Sequence, residues 1–294
     1  MKSRRFGKII RESIVSWIQD DAASMGAAIA FYTLFAIAPI LLFVIWIAGS
    51  FIARDAVQAH VLTQVQMALG DTGEAAVRTI LVSTKSAVDQ GYSRALSAVA
   101  LLFGATSVFA ALQNALDRIW RTPQAKGHFG IWHVVRNRLL SFGLVLCVGF
   151  LLLVTLLISA GLEALSSWVG TVMSDWNTAI FTLDVILGFV VTAVLFALIY
   201  KFVPRERVTW GDVWVGAVVT ATLFTVGKFV ILVYFGRVAV SSAYGAAGSF
   251  LVLLLWVYYS AQIFLLGAEF TRSYAYENGS RTGRSEVGPV IAPG

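Results

Sequence analysis

The chain has 294 residues, of which 58% are hydrophobic and only 13% charged, with a mean hydropathy of +0.80 and a net charge of +6. This composition argues against a soluble protein. The single cysteine, Cys147, excludes an internal disulfide and a cysteine-based metal site. The basic residues lie at the ends of apolar stretches instead of in one patch, which argues against nucleic-acid binding.

The first predicted element, within residues 1–21, is an amphipathic helix on the cytoplasmic surface of the membrane. Ile10, Ile14, Trp17 and Ile18 recur on one face, and charged and polar residues occupy the other. A helix of this kind lies in the interface between lipid headgroups and hydrocarbon.

Residues 22–275 contain six apolar stretches, each at least as long as the 20 or so residues that a helix needs to cross the hydrocarbon core. Continuous apolar runs of this length exclude the strands of a barrel, which alternate and run about 10 residues. We therefore predict an all-α, polytopic membrane protein with six transmembrane helices. The stretches are Ala22–Ala53, Ala95–Leu116, Leu139–Leu162, Ile180–Tyr200, Val213–Gly236 and Val238–Ala268.

Two segments between and after these spans have a different character. Residues 54–94 are predicted to form a small helical outer loop of two short amphipathic helices, separated by a turn at Gly70–Gly73. This loop is either a cap that seals the bundle or a lid over a cavity. The tail 276–294 is rich in glycine, serine, proline and charge, and is predicted to be disordered.

The basic residues predict the topology. Sixteen lysines and arginines fall before the first span, in the second and fourth loops and after the sixth span, whereas five fall in the other loops. Under the positive-inside rule, both termini of this multi-pass protein are expected in the cytoplasm.

The candidate transport path consists of polar, charged and kink-forming residues within the spans. Asp184 and Lys228 lie at similar depth on consecutive antiparallel spans, so they either pair inside the bundle or snorkel separately to the outer headgroups. Pro39 is expected to kink the first span, either passively or beside a cavity. Tyr32 and Thr33 lie about two turns to the cytoplasmic side of that kink, and their hydroxyl groups need partners.

A second candidate group is structural. Glu269 lies three residues before Arg272, which makes them neighbours on one helix face. Arg118 and Arg121 are expected at the same membrane level. We interpret these four residues as an interfacial ion-pair group that locks the second span to the sixth.

Three segments resemble the YihY/BrkB family of bacterial inner-membrane proteins, whose members were once mislabelled ribonuclease BN. They are AAIAFYTLFAIAPILLFVIWIAG at Ala27–Gly49, ALQNALDRIW at Ala111–Trp120, and YGAAGSFLVLLLWVYYSAQIFLLGAEFTR at Tyr244–Arg272. Relatives usually have two tyrosines where this chain has Phe31 and Tyr32. The resemblance implies the same six-span layout and recurrent positions at Tyr32, Thr33, Pro39, Asn114, Trp120, Tyr244, Gly245, Gly248, Gly267 and Glu269.

The resemblance implies a transporter or flippase more than an enzyme, because some relatives are linked to movement of lipid precursors. We expect an amphipathic or anionic, lipid-like substrate, membrane lipids as partners, and no nucleic acid, cofactor or metal. The alternative is a non-transporting scaffold for envelope machinery, and an intramembrane enzyme would need an acid, base or metal cluster that the sequence does not offer. A homo-oligomer is left open.

Overall fold

The computed structural model of the protein describes residues 2–48, 53–88, 107–122, 143, 176–237 and 247–282. Every regular element in these ranges is a helix, which confirms the predicted all-α class for the described part of the chain. The helices, numbered in chain order, are α1 (Lys2–Gln19), α2 (Ala22–Ala48), α3 (Arg54–Val88), α4 (107–119), α5 (Trp176–Phe202), α6 (Trp210–Arg237) and α7 (Ala247–Glu277).

Among the described residues, three helices contain segments that are long and apolar enough to cross a membrane: Val185–Phe202 of α5, Trp210–Lys228 of α6 and Phe250–Glu277 of α7. They overlap the fourth, fifth and sixth predicted spans. Helix α2 contributes a shorter apolar segment, Ala22–Ile37, at the start of the first predicted span. The third predicted span, apart from Gly143, and most of the second lie outside the described residues, so the count of six stays a prediction.

Helix α7 is central to the described bundle, because it contacts α1, α2, α3 and α6. Its buried side chains Phe264, Leu265 and Ala268 belong to the main apolar core, to which α2, α4, α5 and α6 also contribute. Any polar group on the inner face of α7 is therefore enclosed by other helices and held away from water.

Small residues and hydroxyl groups join α5, α6 and α7. A Cβ on Gly216 of α6 would clash with Oγ1 of Thr271, and one on Gly267 of α7 would clash with Oγ1 of Thr220. The hydroxyl of Tyr200 in α5 donates a 2.7 Å hydrogen bond to a carbonyl of α7 and lies 3.1 Å from Oγ1 of Thr220. Close approach through small residues is typical of helix packing in membranes.

Residues 20 and 21 turn the chain from α1 into α2. The N–H of Asp20 donates to the carbonyl of Ser16 at 2.8 Å, and Asp21 has a φ of 55°, in the left-handed region that aspartate adopts more readily than most residues. This turn lets α1 pack against α7, with Ile9 and Ser13 buried.

The residues of the predicted apolar face of α1 lie in two different environments. Trp17 packs against the main core, whereas Ile10, Ile14 and Ile18 are exposed. The exposed isoleucines form the side that the sequence prediction places in lipid.

Helix α3 differs from the predicted outer loop, since it is one unbroken helix where two short ones are predicted. Glycine costs a helix only about 1 kcal/mol relative to alanine, so Gly70 and Gly73 do not have to interrupt it. A hydrogen bond of 2.9 Å from Gln66 to Asp71 spans the first glycine, and Gly73 itself is buried.

Packing explains why α3 continues. Ala76 and Ile80 belong to a second apolar cluster with Leu34 of α2 and with Leu253 and Trp256 of α7. These contacts lie near the middle of α2, so part of α3 runs beside the bundle instead of only covering its outer end. The last part of the predicted loop, residues 89–94, lies outside the described residues.

The tail 276–294 is predicted to be disordered, but the structure describes helix and turns for residues 276–282. Helix α7 continues to Glu277, and residues 278–282 form turns against the rest of the protein. Ser280 donates its hydroxyl to Asp212 at 2.5 Å, and Arg281 pairs with Glu206 at 2.7 Å. The glycine-rich composition of the tail does not reveal these acceptors on other elements, and residues 283–294 lie outside the described residues.

Candidate functional site

Two charged side chains of α7 are fully enclosed. Glu269 is 0% exposed and Arg272 is 2% exposed, and Nη1 of Arg272 lies 3.6 Å from Oε2 of Glu269. Helical spacing of three residues places both on one face of α7. Both belong to a segment long and apolar enough to span a membrane, where charged groups are costly and mark functional sites.

Two further charges approach Glu269 from other elements. Asp20, in the turn between α1 and α2, brings its carboxyl group within hydrogen-bonding reach of Glu269, and Arg121, just after α4, lies within electrostatic range. Arg121 has a φ of 50°, so a left-handed residue ends α4 at this point. We call Asp20, Arg121, Glu269 and Arg272 the charge cluster, whose two acids and two bases sum to a formal charge of zero.

Three carboxylate oxygens of the charge cluster lack a hydrogen-bond donor among the described residues. Oδ2 of Asp20 and both carboxylate oxygens of Glu269 are buried and receive no hydrogen bond from the described residues. Buried polar atoms are usually satisfied, and leaving one unsatisfied costs about 1–3 kcal/mol. These three oxygens therefore carry an energetic cost, as do the other buried polar atoms of the described residues that lack a hydrogen-bond partner.

A second polar group lies beside the charge cluster and is fully bonded. Asp212, near the start of α6, accepts hydrogen bonds from the hydroxyl of Thr209 at 2.7 Å, from the hydroxyl of Ser280 at 2.5 Å and from the N–H of Ser280 at 3.2 Å. The guanidinium of Arg281 covers the ring of Trp120 at 5.2 Å. These contacts fasten the chain after α7 to α6 and to the end of α4.

Two ion pairs at the margin of the bundle also involve α4 and the end of α7. Nε of Arg205, just after α5, lies 3.3 Å from Oδ2 of Asp117 in α4. Burial raises the pKa of Asp117, while Arg205 opposes that rise. Lys8 of α1 donates a hydrogen bond to Glu277 at the end of α7, and this bond raises the pKa of Lys8.

The structure brings together three of the four residues predicted as an ion-pair group. Arg121, Glu269 and Arg272 belong to the charge cluster, whereas Arg118 is exposed on α4. Asp20 is not among the site residues predicted from the sequence. Its position in the sequence could have indicated it. Asp20 lies at the boundary between the surface helix and the first span, and Glu269 is expected at the same membrane level.

The predicted transport path is described only in part. Tyr32 is 38% exposed on α2 and Thr33 is partly buried, while the side chains of Pro39 and Asp184 lie outside the described residues. Lys228 is partly buried on α6, with Nζ 6.0 Å from the centre of the Phe224 ring. The pairing of Asp184 with Lys228 therefore stays a prediction.

Helix bounds place the two positions of that predicted pair at matching depth. Asp184 lies 18 residues before Phe202, the end of α5, and Lys228 lies 18 residues after Trp210, the start of α6. At 1.5 Å per residue this is about 27 Å on each helix. The two helices contact one another.

Comparison with known proteins gives one family. The family model described as virulence factor BrkB matches residues 14–289 of the chain. No solved structure matches the chain.

Curated relatives carry the name UPF0761 membrane protein. One from Psychromonas ingrahamii is 27% identical over 86% of this chain and 82% of its own length. One from Halorhodospira halophila is 28% identical over 99% of this chain but 62% of its own length. The protein YihY of Salmonella typhimurium is 34% identical over 60% of this chain and 58% of its own length. The chain thus spans less than two thirds of several of its relatives.

Proposed function

The chain belongs to the BrkB family of membrane proteins, and from this premise we propose that it is a transporter or flippase. Its proposed substrate is an amphipathic, anionic, lipid-like molecule, and its proposed location is the bacterial inner membrane. Membrane lipids are its proposed partners. We propose neither a nucleic-acid partner nor a catalytic activity.

The charge cluster is the observation that carries this proposal. Glu269 and Arg272 are buried in a helix long and apolar enough to span a membrane. Ionisable groups in such helices are expensive and mark pathways for ions or substrates. A purely structural helix contact has cheaper apolar solutions, because a buried ion pair is often no more stabilising than well-packed hydrophobic residues.

Lys228 supports an anionic substrate. It lies in the membrane-spanning segment of α6, about 27 Å along the helix from Trp210, and it is partly buried. A lysine at this depth offers a positive charge to a negatively charged headgroup near the proposed outer surface. In this account Lys228, Asp184, Tyr32, Thr33 and Pro39 form the proposed path.

The contacts at one end of the bundle support a common cytoplasmic side for both termini. The pair of Lys8 with Glu277 joins α1 to the end of α7, and the pair of Asp117 with Arg205 joins the end of α4 to the end of α5. The loops that carry the basic excess join these same ends. The positive-inside rule then favours the cytoplasm for that end.

A scaffold without transport activity is the second candidate. Gly216 and Gly267 leave no room for even one methyl group between α6 and α7. Such tight packing fits a rigid helix contact that does not open. It favours a role in which the loops bind envelope machinery.

Flux of labelled lipids in proteoliposomes tests the proposal. Purified full-length protein is expected to move a fluorescent anionic phospholipid faster than protein-free vesicles do, and faster than a zwitterionic one. Lys228→Met is expected to reduce this preference, whereas Lys8→Met, which removes a lysine outside the spans, is expected to keep it. Flux equal to that of protein-free vesicles for every lipid would favour the scaffold.

A further inference from the structure

A buried acid of α7 and a partly buried acid from a distant part of the chain meet at one end of α7. Asp20 is positioned by the turn between α1 and α2, and Glu269 by α7, and their carboxyl groups lie within hydrogen-bonding reach. We call these two residues the acid pair. Oδ2 of Asp20 and both oxygens of Glu269 are buried and receive no hydrogen bond from the described residues.

One proton accounts for two of these three oxygens. An ionised carboxylate only accepts hydrogen bonds, so two carboxylates placed together leave their facing oxygens without a donor. A proton on either acid turns that acid into a donor and satisfies one oxygen of each residue in a short, charge-assisted hydrogen bond. Two like charges in a shared buried site also oppose ionisation of both groups.

The surrounding charges are few. Among the described residues, the charged groups that act on Glu269 are Asp20 from the turn, Arg272 from α7 and Arg121 from the end of α4. The guanidinium of Arg272 also lies 5.8 Å from the centre of the Tyr276 ring. The two bases balance two ionised acids, so one bound proton changes the charge cluster from formally neutral to +1.

We propose that the acid pair of Asp20 and Glu269 is a proton-binding site, and that its proton is the coupling ion of the transport reaction. The second half of this proposal rests on the proposed function. The proton binds between the two carboxyl groups and ties the start of α2 to α7. Its release leaves two carboxylates that repel one another and loosens the contact between the turn and α7.

Infrared difference spectroscopy on the purified full-length protein tests the proton site without reference to transport. At neutral pH, wild type is expected to show the C=O band of a protonated carboxyl group. Glu269→Gln and Asp20→Asn are each expected to remove it. Glu277→Gln is the matched control on the same helix, because Glu277 pairs with Lys8 and is expected to contribute no such band.

The infrared spectra can support or overturn the proton-binding site. Absence of the band in wild type, or its persistence in both Glu269→Gln and Asp20→Asn, overturns the proton site. If one variant loses its helical circular dichroism, the other variant and the wild-type spectrum decide the result.

Flux of a fluorescent anionic phospholipid across an imposed pH gradient, at equal sodium concentration on both sides, tests the second half. The gradient is expected to change wild-type flux several-fold and to leave the residual flux of Glu269→Gln unchanged. Wild-type flux that ignores the gradient overturns the coupling while the proposed function stands. Flux no faster than in protein-free vesicles overturns the coupling and the proposed function together, and the infrared result still decides the proton site.

Discussion

Because some charged side chains of this protein are buried, replacing a single one of them is expected to cost considerable stability. Removing one partner of a buried ion pair typically costs about 3–5 kcal/mol, because the other charge remains without compensation. Glu269 and Arg272 face this situation on α7. Their proximity could be predicted from the sequence, since residues three apart on a helix are neighbours.

Asp20 could not be placed in the same way. Its approach to Glu269 depends on the turn at residues 20 and 21 and on how α1 packs against α7. Neither is encoded in local spacing. The sequence therefore predicts the part of the charge cluster that one helix creates, and misses the part that tertiary packing creates.

At the scale of single residues, a substitution at Gly216 tests the packing of α6 against α7. We expect Gly216→Ala to lower the free energy of unfolding by about 1–3 kcal/mol, the usual cost of overpacking a core, because its Cβ would meet Thr271. Gly188→Ala in α5 is the control, since a Cβ there has nothing within 4 Å. It is expected to be neutral or slightly stabilising.

Thermal or denaturant unfolding of both variants in detergent measures this difference. Equal stability of the two alanine variants would show that α6 and α7 do not approach as closely as described.

At the scale of elements, the long apolar helices were predictable and the connections between them were not. The membrane-spanning segments of α5, α6 and α7 follow from composition and length alone. Helix α3 was predicted as two pieces because glycine is a common breaker, yet its contacts with α2 and α7 favour one helix. Tertiary contacts outweighed a local preference of about 1 kcal/mol per glycine.

The chain after α7 gives a test at the element scale. Truncation after Glu277 removes the contacts of Ser280 with Asp212 and of Arg281 with Glu206. We expect this truncation to lower the melting temperature of the purified protein, because buried Asp212 then loses both donors that Ser280 supplies. Truncation after Thr282 keeps every one of these contacts and is the control.

If both truncations melt like the full-length protein, residues 278–282 contribute nothing to stability. Their described contacts would then be unimportant for the fold.

For the whole molecule, the helical class and the membrane location follow from hydropathy, while the arrangement of helices does not. Six apolar stretches predict a bundle, but only the structure shows that α7 is central to the described part of it, with α1, α2, α3 and α6 around it. Hydropathy reports how much surface each helix hides from water. It does not indicate which neighbouring helix covers that surface.

Topology is the prediction that belongs to this scale. Cysteines introduced at Ser3 and Ser285, with Cys147 replaced by serine, are expected to react only with reagents that reach the cytoplasm. The basic excess and the shared end of the bundle both motivate this expectation. Labelling of either position from the periplasm would contradict the proposed orientation.

The central claim is that buried charge at the end of α7 serves lipid transport, and one flux measurement tests it most directly. Proteoliposomes containing wild type, Glu269→Gln or Glu277→Gln are compared for movement of a fluorescent anionic phospholipid, with protein folding checked by circular dichroism. The account predicts that wild type and Glu277→Gln move the lipid at similar rates, and that Glu269→Gln loses most of the flux while remaining folded. Wild-type flux equal to that of protein-free vesicles, or full flux in Glu269→Gln, would contradict the account.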